Sequence, residues 1–269
     1  MARFGVIPRQ LVALWAGNGR AVTLAQREIA NWPIGRPFSL ASRMQAITLN
    51  VIMGGIFGIE GRPRQGTLEY ALRFAIRRLL WSSTLPVARF AELMNMRREE
   101  PIGLTRIGLA APDRCVYSII AKRRRADDLG VRRDILSLLL SPRTEDGEAL
   151  SDRELRDDLL TLVFAGHETT ANQLAWAWER LLRTPAAHER LREAVRSDEG
   201  AAEQVEATIT ETMRSRPVVP MTGRRVTVPW RLSPYGIPAD TAVGDQHPAR
   251  PPPRGCLPRS LRLPARALA

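Results

Sequence analysis

Six consecutive residues carry the clearest chemical signal in the chain: Ala165-Gly166-His167-Glu168-Thr169-Thr170. Apolar residues flank them: Leu159, Leu160, Leu162, Val163 and Phe164 before, and Leu174, Ala175 and Trp176 after. An acid and two hydroxyls in such a setting are costly to bury without partners. The small residues at 165 and 166 leave room for a ligand near the backbone, and a threonine hydroxyl can take a backbone carbonyl and open a helix locally. The pattern points to a cavity for a small ligand beside a proton-donating pair. A second pair, Glu211 and Arg214, stands three residues apart and so shares a face if the segment is helical.

The elements that must position these groups are mostly helices. Ser151 followed by Glu154 is a capping box, and it opens a helix predicted from Ser151 to Thr184, where Pro185 stops it. Other helices are predicted over Ala21–Trp32, Leu40–Ile59 behind a Ser39 cap, Thr67–Trp81, Pro86–Arg98 and Pro112–Arg125 with its proline in the first turn. Asp134–Leu140, Ala186–Ser197 and Gln204–Arg214 complete the helical set. Arg225–Val228 and Trp230–Leu232 read as short strands around Pro229, and Tyr235–Ala239 as a turn into another. The fold class is mainly α: a helical bundle with one long central helix and a small late sheet.

The chain has 269 residues, 44% apolar and 25% charged, an ordinary globular balance. Its formal net charge is +12, almost all from scattered arginine, with Lys122 the one lysine. No basic patch is interleaved with aromatics, so nucleic acid is not an expected partner. Cys115 and Cys256 make no disulfide framework or metal-finger spacing, which fits a reducing cytoplasm. The longest apolar stretch, Ala46–Ile59, is short of the roughly 20 residues that span a bilayer. From Gly244 the composition breaks: residues 244–269 hold six prolines, five arginines and one acid. The expectation is a domain over 1–243 and a disordered Pro/Arg-rich tail over 244–269, the product of a shifted reading frame in a GC-rich gene.

The string at 165–170 resembles the central-helix motif of the cytochrome P-450 family, and Glu211-Thr212-Met213-Arg214 resembles that family's Glu-x-x-Arg helix. The order is right. Arg216–Pro220 and Tyr235–Thr241 are similar to the segments that follow in the family, with Asp240 where glycine is usual. Trp32–Phe38 and Arg43–Leu49 resemble bacterial members, so the resemblance spans roughly residues 21–243. It implies a haem-thiolate monooxygenase that takes dioxygen, a small organic substrate and electrons from a ferredoxin-type donor. By the same resemblance, Glu168 and Thr169 deliver protons for O–O cleavage, and Ala165, Gly166 and Thr170 line the oxygen and haem groove. Glu211 and Arg214 are structural, and Arg224 or Arg225 pairs with a haem propionate.

One departure qualifies that reading. The family's iron ligand lies in a Phe-x-x-Gly-x-Arg-x-Cys-x-Gly loop, whose thiolate favours O–O cleavage. Around Cys256 only Arg254 fits: Ala249 stands for phenylalanine, and Pro252 and Pro258 for the glycines. The expectation is no metal ligand in this chain, a P-450 fold truncated at both ends, and no turnover. The alternatives are a monooxygenase that ligates haem in another way, and a non-catalytic basic helical scaffold.

Overall fold

The computed structural model describes residues 19–59, 61, 63–83, 85–88, 95, 101–140 and 150–246. Eight helices are defined among them: α1 (Arg20–Ile29), α2 (Leu40–Phe57), α3 (Leu68–Ser83), α4 (Gly103–Arg124), α5 (Ile135–Leu140), α6 (Asp152–Arg183), α7 (Pro185–Ser197) and α8 (Ala201–Ser215). Four strands follow: β1 (Met221–Arg225), β2 (Trp230–Leu232), β3 (Tyr235–Ile237) and β4 (Ala242–Gln246). The chain forms two compact units, divided within α6 between Glu168 and Thr169.

The first unit is helical. Its core is apolar, drawn from Met53 and Phe57 of α2, Leu72 and Ile76 of α3, Val116 and Ile120 of α4, Leu136 of α5 and Leu159 of α6. In α3, residues at helical spacing share one buried face, with Leu72, Ala75 and Ile76 inside. By length and composition α2 could cross a membrane, but 44% of that stretch is buried inside the fold. Its C-terminus turns at Gly58, which has φ +65°. There Arg123 reaches across to donate to the Phe57 carbonyl at 2.8 Å and to both Asp134 oxygens at 2.6 and 2.7 Å. Asp134 also caps α5 by accepting from the Ser137 backbone N–H at 3.0 Å.

The helix expected to begin at Pro112 begins instead at Gly103, with Pro112 nine residues inside it. A proline there removes a backbone hydrogen bond. Pro112 is fully buried, and Val116, Ile119 and Ile120 beyond it are packed in the core, so packing holds the helix through the defect. Of the helix expected over Pro86–Arg98, residues 86–88 and 95 are helical and the others lie outside the described residues.

The second unit holds the rest of α6, the α7–α8 pair and two separate two-stranded antiparallel sheets. In the outer one Met221 pairs with Gln246 and Arg225 with Ala242. The inner hairpin pairs Trp230 with Ile237 and Leu232 with Tyr235. The first strand therefore starts four residues before the expected Arg225, and Tyr235–Ile237 is a strand where a turn was expected. The turn is Ser233-Pro234, immediately before that strand, with Ser233 at φ +54°. Short strands whose side chains are mostly exposed carry too weak an alternation to fix their bounds. Gly244, Asp245 and Gln246, assigned by composition to a disordered tail, are paired in β4, because backbone ladder bonds do not depend on apolar side chains. The rest of that expected tail, 247–269, lies outside the described residues, as does Cys256.

Candidate functional site

α6 is one unbroken helix of 32 residues. Its start is the expected capping box: the Glu154 N–H donates to Ser151 Oγ at 3.2 Å and the Ser151 N–H donates to Glu154 Oε2 at 2.9 Å. That bonding holds the Glu154 carboxyl below its usual range, the Ser151 hydroxyl first and its N–H second.

Around the motif the helix has two unlike sides. Val163, His167 and Ala171 are buried, while Ala165, Glu168 and Thr170 are exposed and Thr169 is half-buried. Gly166 is turned toward α2: a Cβ there would stand 3.3 Å from Ile52 Cδ1. Within this unit its lack of a side chain lets α6 approach α2 closely.

Within the second unit, Thr169, Thr170 and Gln173 of α6 line a cavity of about 700 Å³. Met213 and Arg214 of α8, then Pro217, Val218 and Val219, form its other walls. The central-helix threonines and the Glu-x-x-Arg arginine, read as separate motifs in the sequence, thus share one cavity. Glu168 is not in that lining; it faces solvent. Sequence reasoning missed Gln173, Met213 and the valines as wall residues. The signal available was weak, two valines between Pro217 and Pro220.

Glu211 and Arg214 form a bidentate pair, with Arg214 Nε and Nη2 donating to Glu211 Oε2 and Oε1 at 2.6 and 2.5 Å. The hydrogen bonds to Glu211 raise the Arg214 pKa. Arg224 and Arg225 both line a second cavity of about 570 Å³ in the same unit, with Trp230 and Val243. Arg225 lies 3.7 Å from Asp240 Oδ1, and Arg224 Nη1 donates to the Gly223 carbonyl at 2.8 Å. Asp240 has φ +63°, in the left-handed region that favours glycine. That conformation accounts for the glycine usual at this position.

The family's sequence profile, described as cytochrome P450, matches residues 26–246. The chain belongs to the cytochrome P450 family. It is 39% identical over 227 residues to the putative cytochrome P450 137 of Mycobacterium tuberculosis, covering 79% of this chain and 44% of that protein. It is 37% identical over 246 residues to the putative cytochrome P450 135B1 of Mycobacterium bovis, covering 87% and 49%. The chain spans about half the length of these relatives. Its fold is similar to the crystal structure of the cytochrome P450DA heme domain, with a TM-score of 0.66 at 23% identity over 89% of this chain and 55% of that one. It is also similar to the retinoic acid bound cyanobacterial CYP120A1, with a TM-score of 0.66 at 20% identity over 89% and 53%.

Haem is the cofactor of the P450 family, and the described residues fit part of its surroundings. Ala165 offers no bulk on the exposed side of α6, and Thr169 stands near it one turn on. The axial ligand is different. Cys115, on α4, is half-buried, and burial pushes its thiol pKa up, away from the thiolate that iron needs. Among the described residues no cluster of His, Cys, Asp or Glu could hold a metal ion.

Proposed function

We propose that this chain carries the oxygen-side machinery of a P450 monooxygenase that inserts oxygen into a small organic substrate. One observation carries the reading. Two threonines of the central helix and the arginine of the Glu-x-x-Arg pair line one cavity, whose remaining walls include Met213, Pro217, Val218 and Val219. Apolar walls with a few polar groups are how proteins hold small organic molecules.

Haem, when bound, supplies dioxygen activation. The chain's own residues do the rest. Met213, Val218 and Val219 exclude water and take the apolar body of the substrate. Glu168, at the solvent-exposed edge of α6, takes up a proton from water, and the Thr169 hydroxyl passes one inward. An exposed acid beside a half-buried hydroxyl suits a relay that starts in bulk water. The Glu211–Arg214 pair holds the α8 wall. Electrons come from a ferredoxin-type donor, and the protein works in the cytoplasm. Iron ligation by Cys256 is not part of this reading, because its surroundings lack the glycines of the family's loop. Family membership favours this reading over a basic scaffold.

The test is to graft a family-type cysteine loop after Gln246, the last residue of β4, and load the chain with haem. Product should form with a small apolar substrate and a reductant. Glu168→Gln and Thr169→Ala should each lower product per dioxygen consumed at least about tenfold without changing the haem spectrum. Unchanged product yield in both variants would reject the assignment. Cell fractionation reads the compartment.

A further inference from the structure

His167 sits in the middle of the motif, yet the proposed function gives it no part. It is buried at 6% exposure, while Ala165 and Glu168 on either side are exposed. Its Nδ1 lies 2.9 Å from the Thr48 hydroxyl of α2, itself buried. One turn along α2 is Ile52, the residue that a Cβ on Gly166 would meet at 3.3 Å. Two neighbouring residues of α6 thus meet two residues one turn apart on α2. The first contact is directional and the second leaves no slack.

Helical geometry converts that seam into an aim. Each residue advances about 100° around the axis. With His167 held toward α2, Glu168 points about 100° away and Thr169 about 200° away, on the opposite side. A slip of one residue would carry the Glu168 carboxylate toward an apolar seam and leave the Thr48 hydroxyl without its ring partner, and both changes cost free energy. A single polar contact in an apolar seam specifies register in this way in coiled coils. The Thr48 hydroxyl has a second acceptor, the Gln45 carbonyl at 3.3 Å, so the ring tautomer follows from which bond takes the hydroxyl hydrogen. Burial favours the neutral ring in either case.

We infer that Thr48–His167 and Ile52–Gly166 are a positioning couple, fixing the rotation of α6 that aims Glu168 and Thr169. The inference rests on the proton-delivery reading for its purpose, but its geometry is tested without haem. The full chain, isotopically labelled, gives the ring-nitrogen signals of His167 and the amide signals of Glu168 and Thr169. Thr48→Val and His167→Asn should shift both amides, Thr48→Val should also change the His167 tautomer signal, and Thr48→Ser should restore all three. Gly166→Ala should shift the same amides, and adding Ile52→Val should return them. Ile120→Val, buried on α4, should lower stability and leave the amides in place. Amides unmoved by Thr48→Val and Gly166→Ala, or moved equally by Ile120→Val, would overturn the inference. A chain that shows the expected shifts but yields no product once it carries the grafted cysteine loop and haem sinks the proposed function alone.

Discussion

Thr169 and Arg214 face the same cavity from two different helices, 45 residues apart in sequence. The relationship joins a residue read as catalytic to one read as structural. It places the α8 wall within reach of whatever the cavity holds, and each wall gives a separate measurement.

A small apolar probe such as indole should bind this cavity. Titration should shift the Thr169, Thr170 and Met213 signals together. Val218→Asp should weaken binding at least about tenfold, because it puts a charge on an apolar wall. Equal binding in the variant would place the probe elsewhere.

The Glu211–Arg214 pair should couple more strongly than an ordinary surface pair. Both groups are less than a quarter exposed and the pairing is bidentate. A double-mutant cycle with Glu211→Ala and Arg214→Ala, read by urea unfolding, should give about 1–2 kcal/mol. A value near the roughly 0.3–0.5 kcal/mol of exposed helix pairs would mark the contact as solvated and weak.

Gly58→Ala should cost far more than Gly61→Ala. Both have positive φ, +65° and +70°. At Gly58, however, a Cβ would stand 2.7 Å from Asp134 Oδ2, whereas at Gly61 nothing lies within 4 Å. The left-handed backbone alone costs about 1–2 kcal/mol in each. Displacing Asp134 from buried Arg123 adds to it, since removing one partner of such a pair costs about 3–5 kcal/mol. Equal midpoints of thermal unfolding would contradict the close approach.

The pH dependence of stability should carry a His167 contribution of definite sign. Burial lowers its pKa below the ordinary 6.5, with no neighbouring charge involved. The unfolded chain therefore takes up a proton near pH 6.5 that the fold resists. The contribution is complete above that pH and is lost as pH falls from about 6.5 toward the lower folded value. Relative to His167→Asn, the native chain should lose stability as pH falls from about 8 to about 5. A constant difference across that range would show a ring that is not buried.

The chemistry-bearing strings were legible because local rules carry them. Ser151 and Glu154 bond as a capping box must, and Glu211 and Arg214 pair across one helical step. What escaped depends on partners distant in sequence. His167 meets Thr48 from 119 residues away. Arg123 is hidden in the basic run Lys122–Arg125, and only the fold brings Asp134 and the Phe57 carbonyl to it. Pro112 reads as a helix start because a lone sequence cannot show the core that holds a helix through a proline. The close approach of Gly166 to Ile52 was equally out of reach, because the two lie 114 residues apart in sequence.

The central claim is that the described residues supply the oxygen side of a P450 site while Cys256 does not supply its iron ligand. The most direct measurement is the spectrum of the unmodified full chain after haem is added, reduced and exposed to carbon monoxide. The account predicts no red-shifted Soret band of thiolate ligation, and the appearance of that band once a family-type cysteine loop follows Gln246. A thiolate band in the unmodified chain, lost on Cys256→Ala, would contradict it.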